Sequence, residues 1–203
     1  RDEISLFDRQ YHPVQYISYD EDSLWPESRE KLRLSVALID TSLSLTDGRN
    51  WRTAYKIYGT PGYINIPPKI LGLYLNEISG QQQAYYPDNF GEFEDWLELY
   101  NAGDQDINFG GLYLTDDLGL LCKSRIPQNQ PDSTTISAKG FQVLFADGEL
   151  EQGVLHLDFK ISSSGEELGL IQLVGLDTLI LDQVVFGSFS PESSIGRRSD
   201  GGA

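Results

Sequence analysis

Turn chemistry recurs along most of this chain and restricts it to short, extended elements. Clusters of small and turn-forming residues stand at Asn101-Ala102-Gly103-Asp104, Phe109-Gly110-Gly111, Ala138-Lys139-Gly140, Ala146-Asp147-Gly148, Ser164-Gly165 and Ser199-Asp200-Gly201-Gly202. Such residues supply positive φ or fold their side chains back onto the backbone, so each cluster ends the element before it. The runs between them are β-prone and either alternate or stay apolar: Ile4–Phe7, Val14–Tyr19, Leu34–Ile39, Leu71–Ile78, Trp96–Tyr100, Leu112–Thr115, Phe141–Ala146, Glu167–Val174 and Leu179–Phe186. The 20 glycines serve this rhythm, which is that of an all-β sandwich. Around Ser28–Leu38 the spacing of Leu32, Val36 and Ile39 also suits a helix. The alternation of Leu34, Val36 and Leu38 favours a loop that enters a strand at Leu34.

The length of 203 residues suits one large β domain, or one domain with a piece of another. Hydrophobic residues at 39% and aromatics at 11% supply a core, and a charged fraction of 23% sets the chain apart from disordered acidic tails. Against 31 Asp and Glu there are 15 Lys and Arg, a net charge of −16 that repels phosphate backbones and anionic lipid. No nucleic-acid partner is therefore expected. No apolar run reaches the roughly 20 residues that cross a bilayer, so no membrane insertion is expected either. Cys122 is the single cysteine and excludes an internal disulfide. The chain lacks Met and opens on Arg1-Asp2-Glu3 in mid-pattern, which leads us to expect an excised or processed part of a longer protein.

The richest Pro/Gly stretch is Gly59-Thr60-Pro61-Gly62 followed by Asn65-Ile66-Pro67-Pro68, a stiff connector that places a boundary near Pro68. A repeat crosses it. Glu3-Ile4-Ser5-Leu6-Phe7-Asp8 is similar to Glu167-Leu168-Gly169-Leu170-Ile171-Gln172, and Val14-Gln15-Tyr16-Ile17-Ser18-Tyr19 to Asp182-Gln183-Val184-Val185-Phe186. Pro26-Glu27-Ser28 then matches Pro191-Glu192-Ser193, each followed by arginines, Arg29 and Arg33 in one case and Arg197 and Arg198 in the other. Three matches in one order point to duplication, with residues 1–68 as the last part of a preceding copy and 69–203 as the copy that follows. A partial copy should expose sheet edges unless something covers them.

From Leu71 onward a series of strings carries a specific resemblance. They are Asn76-Glu77-Ile78, Asp95-Trp96-Leu97-Glu98-Leu99-Tyr100-Asn101, Gly110-Gly111-Leu112-Tyr113-Leu114-Thr115-Asp116-Asp117, Arg125-Ile126-Pro127, Phe145-Ala146-Asp147, His156-Leu157-Asp158-Phe159-Lys160-Ile161-Ser162, Gly165-Glu166-Glu167 and Gly196-Arg197-Arg198-Ser199-Asp200-Gly201. Together they resemble the bacterial lamin-tail domain, and Trp25-Pro26, Leu34–Asp40 and Asn50-Trp51 are similar to the tail of such a domain. The resemblance implies an immunoglobulin-like β-sandwich used as an accessory or interaction module. It also implies a secreted or cell-surface bacterial protein, with neighbouring domains of the same parent chain, other proteins or a surface polysaccharide as partners. It implies no reaction.

Several residues have two readings. Alternation puts Leu97 and Leu99 on one face of their strand and Trp96, Glu98 and Tyr100 on the other. Trp96 would either stack on a sugar or peptide, or cover the sheet. In Tyr85-Tyr86-Pro87-Asp88-Asn89-Phe90, the rings of Tyr85, Tyr86 and Phe90 either fold back onto the sheet or meet a partner. Carboxylates crowd the same region, and Glu77, Asp95, Asp116 and Asp117, with the pair His156 and Asp158, form the candidate cation set. Calcium is the ion such oxygens suit; a solvated acidic surface, with Glu77 and Asp95 satisfying backbone donors or pairing with Arg125, is the alternative. Asp20-Glu21-Asp22 reads as a solvated loop. Asp104-x-Asp106-x-Asn108 lacks the later Gly and Glu of a calcium loop and reads as a turn.

Catalytic signatures are missing: no Gly-x-Ser-x-Gly elbow, no phosphate-binding loop and no His-Glu-x-x-His. Cys122 follows Leu120-Leu121 and reads as a small packing residue. Arg197 reads as a clamp on a carboxylate or on loop carbonyls. The expected function is a non-catalytic interaction module for adhesion, assembly or service to a neighbouring domain. A carbohydrate-binding module and part of a surface hydrolase are the alternatives.

Overall fold

The computed structural model describes residues 2–19, 25, 34–38, 42, 44–57, 59, 70, 72–80, 84–174, 177–190 and 193–202. The acidic run Asp20-Glu21-Asp22, the proline loops at Pro26-Glu27-Ser28 and Pro191-Glu192, Arg29 and Arg33, and the Pro/Gly stretch from Thr60 to Pro68 lie outside them. The chain divides into two compact units, Arg1–Pro67 and Pro68–Ala203.

The first unit carries two antiparallel pairs. Strand β1 (Asp2–Phe7) pairs with β2 (Pro13–Tyr19), and β3 (Leu34–Leu38) pairs with β4 (Trp51–Ile57). The alternating Leu34, Val36 and Leu38 thus do form a strand. Among the described residues neither pair gains a third strand.

The second unit is built from two four-stranded antiparallel sheets. One runs in the order β11 (Phe141–Phe145), β6 (Trp96–Asn101), β5 (Leu73–Ser79), β14 (Ser194–Gly196). The other runs β13 (Asp177–Gly187), β12 (Gly165–Val174), β8 (Tyr113–Thr115), β9 (Ser124–Arg125). A short pair, β7 (Ile107–Asn108) with β10 (Thr135–Ile136), and a single helical turn, α1 (Pro131–Thr134), fill the connections. Leu73, Leu75, Ile78, Leu97, Leu99 and Leu144 of the first sheet and Leu114, Leu168 and Leu170 of the second belong to one buried cluster. The fold is therefore all-β and sandwich-like.

Leu97 and Leu99 point into this core and are fully buried. Removing either side chain to Ala would cost about 2–5 kcal/mol through lost transfer and the cavity left behind. In β5 the core residues are spaced by two and then three, because the register skips between Leu75 and Glu77. Asn76 is the extra residue of a β-bulge, which turns the strand so that Leu73, Leu75 and Ile78 all face inward.

Candidate metal centre

The connection between β5 and β6 is tied by one aspartate. Asp88 Oδ1 accepts from the backbone N–H groups of Phe90 and Glu92, both at 2.8 Å. Asp88 N–H donates to Glu92 O at 2.9 Å, and Gly91 N–H donates to Asp88 O at 3.2 Å, with Gly91 at φ +85° to complete the reversal. The short acidic side chain replaces a strand partner for this loop. Asp88 is 8% exposed, and its other oxygen, Oδ2, has no hydrogen-bond partner. A buried oxygen in that state costs about 1–3 kcal/mol, and more when charged.

After β11 the chain leaves and returns alongside its own end. Phe145 N–H donates to Leu155 O and Leu157 N–H to Phe145 O, both at 2.8 Å, while Gly148 N–H donates to Leu157 O at 2.9 Å. This return sets His156 beside Asp147. Asp147 Oδ1 accepts from Glu149 N–H at 2.9 Å, and its Oδ2 contacts His156 Nδ1. The opposite ring nitrogen, Nε2, meets Asn89 Oδ1 at 2.9 Å. The Phe145 ring stacks on the imidazole with centroids 5.3 Å apart, and Phe90 approaches it edge-on at 6.3 Å.

Asp88, Asp147 and His156 thus converge from two connections. One carboxylate oxygen from each aspartate and one ring nitrogen lie within 4.8 Å of one another. Asp147 and His156 are 2% and 3% exposed. Among the described residues no Lys or Arg bonds to any of the three. Acidic groups also ring the cluster: Glu92 accepts from Gln152 Nε2 at 2.8 Å, and Gln152 bonds Glu149 as well. Burial pushes the Glu94 carboxyl above its ordinary value, and the charges of Asp147, Glu149 and Asp95 add to this against Lys160.

Of the cation set read from the sequence, only His156 belongs to this cluster. Glu77 sits half-buried on β5 opposite Glu98. Asp95 Oδ2 accepts from Ile161 N–H at 3.0 Å, and so serves a backbone donor. Asp116 pairs with Lys123 at 2.6 Å, and Asp117 Oδ1 accepts from Gly119 N–H at 2.7 Å within an exposed turn. Asp158 is exposed, whereas His156 is buried. Asn108 accepts from Gly110 N–H at 2.8 Å within a turn, whereas Asp106 accepts from the distant Ala138 N–H at 3.0 Å and ties two connections together.

The aromatic set divides. Trp96 is 9% exposed and packs beneath Tyr86, with centroids 6.0 Å apart, so it covers the sheet and offers no platform. Tyr86 also stacks toward Phe145 at 6.3 Å. Tyr85 is 74% and Phe90 59% exposed. Cys122 is exposed in a turn and not a core packing residue, and desolvation raises its thiol above the ordinary value.

A second ionic cluster closes the sandwich elsewhere. Arg197 Nη2 donates to both oxygens of Asp182, at 2.9 and 2.8 Å, and Arg197 Nε donates to Leu75 O at 2.8 Å. Its Nη1 reaches Gly202 O. Leu75 N–H donates to Asp182 Oδ2 at 2.7 Å, so every face of that carboxylate is used. Burial pushes the Asp182 carboxyl up, and the Arg197 guanidinium pulls it back. The bulged Asn76 donates to Glu98 and Asp200 and accepts from Gly201 N–H. Arg197 is a clamp of the fold.

No known protein family, curated protein or solved structure matches the chain. The site therefore stands on its geometry. In the sequence Asp88 and Asn89 stand among the aromatics of Tyr85–Phe90, and Asp147 beside Gly148 has the pattern of a turn residue. A pairing of loop aspartates with the lone histidine of the second unit was the sequence signal available.

Proposed function

We propose that this chain is a non-catalytic interaction module of a secreted or cell-surface bacterial protein. Its second unit is read as an immunoglobulin-like sandwich of the lamin-tail type. The observation that carries the proposal is the tied loop 84–93: a rigid scaffold holds it through Asp88, yet Tyr85 and Phe90 face solvent. Exposed rings on a fixed loop are suited to contact with a partner. The contact of His156 Nε2 with Asn89 Oδ1 supports the non-catalytic reading, because a ring nitrogen so engaged is not free to take a substrate proton.

The duplication reading gains support from the two hairpins. The register of β1 with β2 breaks between Leu6 and Phe7, and that of β12 with β13 between Leu170 and Ile171, positions equated by the sequence repeat.

A carbohydrate ligand is the second reading, favoured by the exposure of Tyr85 and Phe90. The test is binding of the wild type and of Tyr85→Ala/Phe90→Ala to cellulose, chitin, xylan and peptidoglycan, with sedimentation for self-association. Binding to one polysaccharide that falls about tenfold or more in the double variant, with unchanged Tm, supports the sugar reading. Binding to none, with self-association lost in the double variant, supports a protein contact. A double variant indistinguishable from the wild type in both assays overturns the loop's role. Product release from any polysaccharide that is abolished in His156→Asn overturns the non-catalytic reading.

A further inference from the structure

Two carboxylates and an imidazole meet at the Asp88–Asp147–His156 cluster, and among the described residues no Lys or Arg bonds to them. His156 Nε2 meets Asn89 Oδ1 and its Nδ1 meets Asp147 Oδ2, so the ring is held at both nitrogens. That contact places the Asp147 carboxylate against the imidazole within the cluster that Asp88 shares. Asp88 Oδ2, buried with its residue to more than nine-tenths, lacks a donor. A cation bound between these atoms supplies Asp88 Oδ2 with the partner it lacks.

We propose that Asp88, Asp147 and His156 Nδ1 bind a divalent transition-metal cation of the zinc class. An imidazole with two carboxylates suits zinc and its neighbours, whereas calcium takes six to eight oxygens. Around a tetrahedral ion with bonds of about 2.0–2.2 Å, ligand atoms sit about 3.3–3.6 Å apart. The cluster atoms lie within 4.8 Å of one another, compact enough to surround one ion. The contact of Nε2 with Asn89 Oδ1 orients the ring, as an outer partner does in metal sites. Because Asp88 also ties loop 84–93, the cation fastens that loop to the return segment at His156. The site does not depend on what the loop's rings contact, so its failure and that of the interaction reading are separable.

The test is thermal unfolding of the full chain after EDTA treatment, with Zn²⁺, Mn²⁺ or Ca²⁺ added, together with calorimetric titration of Zn²⁺. Zn²⁺ at about a hundredfold excess over Kd should raise Tm by about 5–10 °C. Asp88→Asn keeps the loop bonds through its amide oxygen. It should stay folded without metal and lose Zn²⁺ affinity beyond the roughly 10–100-fold typical of an outer partner. His12, an exposed residue beside Asp8 at 3.1 Å, is the control, and His12→Gln should bind as the wild type does. Absence of a Zn²⁺ shift in the wild type overturns the site. So does an Asp88→Asn variant with wild-type affinity, or a loss of binding in His12→Gln. A Ca²⁺ shift equal to that of Zn²⁺ overturns the metal class.

Discussion

Asp182 and Asp88 are both buried carboxylates that accept backbone N–H groups, and they differ in what faces their remaining lone pairs. Asp182 receives a bidentate guanidinium from Arg197, at 2.9 and 2.8 Å. Asp88 Oδ2 receives nothing, and its near neighbours are a second aspartate and an imidazole nitrogen. A fold can bury charge when the counter-charge comes with it. The Arg197 cluster carries its own cation and so completes the sandwich, whereas the His156 cluster leaves Asp88 Oδ2 for the proposed metal ion.

The largest effect that separates the two regions should come from Arg197→Ala. It strands the Asp182 carboxylate, at a cost of about 3–5 kcal/mol in chemical denaturation. Replacing both partners, as Arg197→Met with Asp182→Leu, should recover most of that loss, since the buried charge goes with its partner. A double variant no more stable than the single one would break the pairing account.

Isosteric neutralisation gives the next contrast. Asp182→Asn weakens charge-assisted bonds to Arg197 and should cost about 1.5–3 kcal/mol. Asp88→Asn, measured in chelator, should change stability by less than about 1 kcal/mol, because an orphaned charge is removed along with the bonds it weakens. Equal losses at the two positions in urea unfolding would contradict the difference drawn between them.

A smaller effect concerns pH. Burial is the chief cause raising the Glu98 carboxyl, with repulsion from Glu77 and Asp200 added and the Asn76 bond opposing. Burial likewise raises Glu166. A raised folded pKa means that the folded chain takes the proton first. The stability from these groups is thus present below the ordinary value of 4.5 and lost as pH rises through the folded one. In chelator, Tm should rise as pH falls from neutral toward 5, and Glu98→Gln should flatten part of that slope. A Tm that falls over this window would reverse the sign.

How much of this was legible beforehand follows from the range of each interaction. The strands were, because alternation in Trp96–Tyr100 and the turn clusters act over a few residues; Leu97 and Leu99 are core for that reason. The Arg197 clamp was legible as a role, though its partner Asp182 was not. The bulge at Asn76 left no mark in the pattern beyond a spacing of three between Leu75 and Ile78. The candidate centre was least legible. Its parts, Asp88 and the pair Asp147 and His156, lie in separate connections, and only the fold brings them together. Asp158, two residues from His156, looked like its partner on a strand. The segment is instead a return loop with Asp158 on the outside.

The most direct test is anomalous X-ray scattering at the zinc edge from crystals of the full chain grown with Zn²⁺. We predict one strong peak bounded by Asp88, Asp147 and His156 and no peak at Asp182 and Arg197. A map without density at the first position, from crystals in which zinc is detected by fluorescence, would contradict the account.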